Sequence, residues 1–124
     1  MSNESLNQIK SESSELYQGP ITLPGSFEPI ETELVLDMSG KKVTIIFGES
    51  VADATEWHGR EVKVFKRLKF YEVQFLTCGI PKDRITLTWK FNASLLDDSL
   101  AGVIIPRAND QRISGEKGFV LNKG

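Results

Sequence analysis

The sequence predicts an all-β fold, a small antiparallel up-and-down β-barrel of about seven or eight strands, with a β-sandwich as the alternative. Three observations carry this. Residues 84–92 alternate without a fault, with Ile85, Leu87, Trp89 and Phe91 on one side and Arg84, Thr86, Thr88, Lys90 and Asn92 on the other. Strand side chains point alternately to opposite faces, so this segment has one dry face and one wet face. The same grammar recurs along most of the chain, broken by turn residues about every 8 to 15 positions. Helical periodicity never lasts beyond one or two turns, which argues against βαβ units.

Taken in order, residues 1–18 are rich in Ser, Glu, Asn and Gln, with Leu6, Ile9, Leu16 and Tyr17 as the only sizeable apolar groups. So little apolar surface reads as a flexible N-terminal segment; the competing reading is a docked helix covering the mouth of a barrel. A single β-barrel domain is expected over 19–124. Gly19-Pro20, Pro24-Gly25 and Pro29 mark extended chain with turns. Residues 33–38 and 42–47 alternate around the compact turn Ser39-Gly40 and form a β-hairpin. Residues 48–59 break the rhythm and read as a loop or a helical turn. Strand character returns at 61–65 and 70–77, with three cations (Lys66, Arg67 and Lys69) between them, a turn or a bulge. After the turn 79–83 and the strand 84–92 come a loop with Asp97-Asp98, a short apolar strand at 100–105 ended by Pro106, and a last strand within 113–122.

At 124 residues the chain holds one core and is too small for two. Hydrophobic residues make up 40% and charged residues 26%, ordinary for a globular protein. The net charge is -2 and the pI near 5.4. Clamping nucleic acid calls for a basic surplus, so no nucleic-acid partner is expected. Cys78 and His58 are the only residues of their types. An intramolecular disulfide is therefore impossible, a His/Cys zinc site has too few ligands, and no metal or cofactor is expected. Met1-Ser2-Asn3-Glu4 lacks a basic n-region, and every apolar run is far below the ~20 residues of a bilayer span. A cytoplasmic protein with no membrane span is the expectation.

The last third, with Leu100-Ala101-Gly102 in one strand and Gly118-Phe119-Val120-Leu121 in the next, resembles the closing strands of calycin-like barrels of lipocalin or avidin type. The resemblance covers about forty residues and is one of architecture. The Gly-x-Trp signature of lipocalins proper is absent, Trp57 and Trp89 lying mid-chain. It implies a closed hydrogen-bonded sheet whose interior is packed or holds one small ligand.

Candidate chemistry is sparse. His58 is the one side chain with an ordinary pKa near neutrality, and beside Trp57 it fits a pocket rim or a plain surface position. Arg67, Tyr71 and Glu72 have the composition of an acid/base site, yet adjacent strand residues face opposite ways. Asp97-Asp98 lacks the alternate oxygen ligands of a calcium loop. Aromatics such as Phe65, Phe70, Phe75 and Phe91 either fill the core or line a cavity. Five cations between Arg60 and Lys69 suit an anionic ligand or the wet face of a strand pair.

The leading expectation is a small-molecule-binding protein that holds a partly apolar or anionic ligand in the barrel, with Trp57, His58, Arg67, Tyr71 and Trp89 as ligand-binding residues. The second is an interaction or assembly module acting through a sheet edge or exposed face, as a homodimer. The third, and least supported, is a cofactor-independent acid/base enzyme using Tyr71, Glu72, Arg67 and His58; no residue is assigned a catalytic or metal-binding role. A ligand binder requires a hollow interior, an interaction module a packed interior with an exposed apolar patch, and an enzyme titratable groups converging in one cavity.

Overall fold

The computed structural model describes residues 14–77, 79–82 and 84–124, with the Lys82 side chain excepted, and these form one antiparallel sheet without helices. The strands are β1 Ser14–Ile21, β2 Ile30–Asp37, β3 Lys42–Val51, β4 Ala54–His58, β5 Arg60–Lys66 and β6 Tyr71–Leu76. They continue as β7 Ile80–Lys82, β8 Ile85–Leu96, β9 Ser99–Ala108, β10 Gln111–Arg112 and β11 Lys117–Lys123. Nine lie on one hydrogen-bonded path, β4-β3-β2-β1-β11-β9-β8-β6-β5, while β7 adds to β8 and β10 to β9. The first and last strands pair with each other, Tyr17 against Lys123, so the sheet curls into a nearly closed barrel.

Every pairing on that path is antiparallel. Counting both ways from β1, three reversals lead to β4 and five to β5, so β4 and β5 run in the same direction. Only Gly59 separates them. They are two halves of one bent strand, the first paired with β3 and the second with β6. At the bend the Gly59 amide donates to the Val43 carbonyl at 2.8 Å, drawing the two ends of the path together. A Cβ on Gly59 would lie 3.1 Å from both Phe75 and Val43, so glycine is what this approach allows. Just beyond, Glu61 has a φ of 52° and the register slips between Arg60 and Lys63, a bulge that sharpens the bend.

The same alternation assigns the turns to the two ends of the barrel. One end carries the β2–β3, β5–β6 and β8–β9 turns and the chain exit at Lys123. The other carries the β1–β2 loop, the β3–β4 turn and the β9–β10 turn. Ala52-Asp53 and Asn109-Asp110 both have two successive positive φ values, the conformation whose twist matches the flanking strands.

Inward-facing residues fill the barrel. Leu34, Leu36, Ile45, Phe75, Phe91, Ile104 and Leu121 are wholly buried. Two aromatic relays cross the interior. Phe47 meets Trp57 edge-on with centroids 4.8 Å apart, and Trp57 stacks on Trp89 at 5.1 Å. Phe75 stacks on Phe91 at 4.8 Å, and Phe91 meets Phe119 edge-on at 5.6 Å. Each such pair adds about 0.5–1.5 kcal/mol to the area term for burying the rings.

β1, β4, β8 and β9 depart from the pattern read in the sequence: β8 runs on to Leu96, and β9 does not end at Pro106 but carries it, in register with Trp89, through to Ala108. β1 begins at Ser14, ahead of Gly19, and pairs with β2 along its whole length. Its adjacent apolar pair Leu16-Tyr17 hides the alternation, because Tyr17 points inward while Leu16 is only half-buried. Residues 54–58 form β4 rather than a loop; Trp57 alone of this short strand is buried, too little for a periodic signal. The turn at residues 38–41 is as expected, with the Gly40 amide donating to Asp37 Oδ1 at 2.8 Å.

Candidate functional site

The β5–β6 end is where chemistry collects on the surface. Here β5 and β6 pair in regular register from Lys63–Gln74 to Lys66–Tyr71. The Arg67 amide then donates to the Phe70 carbonyl at 2.8 Å and closes a tight turn. That places Leu68 and Lys69 at the tip, and Leu68 is 96% exposed. Phe65, Phe70, Tyr71 and, from the neighbouring β8–β9 turn, Leu96 are also exposed. These five are a majority of the nine large apolar side chains exposed in the described residues. A cleft of about 470 Å3 elsewhere runs along the outer faces of β1, β2 and β3, with Glu31 and Glu33 among its lining residues.

Polar groups hold the hairpin's outer face in shape. The Arg67 guanidinium lies 5.0 Å from the Phe65 ring centre and donates to Glu72 Oε1 through Nε at 3.0 Å and NH2 at 2.8 Å. Gln74 donates to the other Glu72 oxygen at 2.6 Å. These bonds, Arg67's first, hold the Glu72 carboxyl below its ordinary value. On the other face Tyr71 sits in register with Leu95. A cleft of about 330 Å3 opens there, lined by residues 66–71, Leu95 and Asp97. Lys66 and Lys69 form no ion pair among the described residues.

The five residues expected to bind a ligand divide into three places. Trp57 and Trp89 meet each other in the core. Arg67 and Tyr71 share the cleft at the β5–β6 end. His58 stands on the outer surface of β4, its Nε2 3.0 Å from Glu56 and its Nδ1 3.5 Å from Thr44 Oγ1. Tyr71 and Glu72 point to opposite faces, as adjacent strand residues must, so the acid/base set does not converge. No group of three metal-ligating side chains occurs among the described residues. Asp97 forms part of a turn with a φ of 55°, and the Asp98 carbonyl accepts from the Lys123 amide. Cys78 lies outside the described residues.

Leu68, Phe70 and Leu96 were missed as surface groups. The available signal was Leu68 itself, a large apolar residue inside a run of cations and out of step with the buried positions of the strand that follows. The chain matches no protein-family model, and no curated protein or solved structure is significantly similar to it. The nearly closed antiparallel barrel is compatible with a calycin-like fold.

Proposed function

We propose that this protein is an interaction module, a packed calycin-like barrel that engages a partner surface through its β5–β6 end. The observation that carries the reading is the gathering of Phe65, Leu68, Phe70, Tyr71 and Leu96 at one end of the barrel. Large apolar groups clustered on a surface mark contact sites, whereas single scattered ones are ordinary. The filled interior supports the same reading over a ligand held within the barrel, because the aromatic relays occupy the space a ligand would need. A sheet edge is the weaker route. β5 has neighbours on one side only, and it carries Lys63, Lys66 and the Glu61 bulge, the features that discourage edge-to-edge pairing.

The test compares the wild-type chain with Leu68→Ser/Phe70→Ser by native mass spectrometry and sedimentation, after circular dichroism has shown that both fold. Association with a second copy or with an added surface that the double variant loses supports the reading. A small molecule that leaves both proteins only on unfolding would place function inside the barrel and overturn it.

A further inference from the structure

We infer that the surface engaged by the β5–β6 end is an anionic lipid bilayer, with Leu68 and Phe70 entering the interface and Lys66 and Lys69 meeting acidic headgroups. The inference rests on the interaction-module reading and names its partner.

Shape is the first reason. Leu68 stands at the apex of a hairpin turn, almost wholly exposed, with Lys66 and Arg67 before it and Lys69 after it. A convex apolar point ringed by cations meets few atoms of a flat protein surface, and the cores of protein interfaces are depleted in lysine. A fluid interface closes around such a point, while lysine stems lie along the apolar boundary with their ammonium groups in the headgroup layer.

Charge is the second. Arg67 is committed to Glu72, which leaves Lys66 and Lys69 against a single carboxylate, Asp97, in the same cleft. The surplus is positive on a chain whose net charge is -2. That is the complement of a leaflet rich in phosphatidylserine or phosphoinositides.

The opposite end of the barrel supplies an internal control. Phe27 in the β1–β2 loop is 94% exposed, as bare as Leu68, but its charged sequence neighbours are Glu28 and Glu31. Hydrophobicity alone would let either end dock. The cations select the β5–β6 end.

The experiment is flotation of the full chain with phosphatidylcholine vesicles, with and without phosphatidylserine, at low and high salt. Binding is expected only to the serine-containing vesicles, and is expected to weaken with salt. Leu68→Ser should lower the partition coefficient by roughly tenfold or more. Lys66→Ser and Lys69→Ser should each lower it about fivefold. Phe27→Ser should leave it unchanged. Equal binding to neutral vesicles, or a loss on Phe27→Ser matching that of Leu68→Ser, overturns the inference. Absence of vesicle binding together with a Leu68-dependent dimer in sedimentation overturns the lipid assignment and leaves the interaction module standing. Absence of both overturns the two readings together.

Discussion

Replacing Thr77 and Thr88 by valine, one at a time, makes the same chemical change at two buried hydroxyls and should move stability in opposite directions. Both residues are buried, and they lie on neighbouring stretches of chain. Thr77 donates its amide to the Trp89 carbonyl at 3.0 Å, and its Oγ1 accepts from the Trp89 amide at 3.1 Å. Thr88 Oγ1 is buried with no partner among the described residues. Thr77→Val removes the acceptor of a buried N–H, which costs about 1–3 kcal/mol. Thr88→Val removes a hydroxyl that lost its water on folding and gained nothing in return, so it should stabilise by about 1 kcal/mol. The two variants should therefore differ by about 2–4 kcal/mol, although they have the same composition. Urea unfolding followed by tryptophan fluorescence reads this directly, since Trp57 is buried in the folded barrel. At an unchanged slope, the Thr88→Val midpoint should rise by roughly half a molar and the Thr77→Val midpoint should fall by more. A Thr88→Val midpoint that falls alongside that of Thr77→Val would refute the reasoning, because it would mean that the Thr88 hydroxyl is bonded.

Two further outcomes follow from the titrating groups. Burial, then the Glu15 and Asp98 carboxylates, raise the Tyr17 phenol above its ordinary value of 10.0. Its ionisation is therefore easier in the unfolded chain, and the contribution to stability is complete below pH 10.0 and lost as pH rises through the raised folded value. Tyr17→Phe should flatten the alkaline limb of a plot of melting temperature against pH, which thermal scans would measure. Glu72 has the opposite sign: its folded value lies below 4.5, so its contribution is present above 4.5 and lost as pH falls through the lowered value. In Arg67→Gln, a carbon-detected NMR titration of Glu72 should shift back toward 4.5, because the first of its two hydrogen-bonding partners is gone.

Much of the barrel was legible in local pattern. β2, β3 and β8 alternate apolar and polar residues, because each has one face on the core, β9 reads as a short apolar run, and their turns carry the residues that tight reversals need. β4 was hidden because a short strand can hold its place through one buried side chain, Trp57. β1 was hidden because it is held by its long pairing with β2 and by its contact with β11 near the other end of the chain. The candidate site was half visible: Arg67 and Tyr71 were marked by their chemistry and do share a cleft, whereas Trp57 and Trp89 found each other in the core. Leu68 and Phe70 drew no attention as surface groups, because an exposed apolar residue and a buried one look the same in one dimension.

By itself, the sequence determined that the fold is all-β and antiparallel, since side-chain alternation and turn chemistry are local properties of the backbone. Tertiary structure alone decided that β1 meets β11, that Gly59 bends one strand across the seam, and that Leu68, Phe70 and Leu96 emerge at the same end. Those relations join residues far apart in the chain. They are set by strand register and by the volume of the aromatic interior, and neither is written in any one segment.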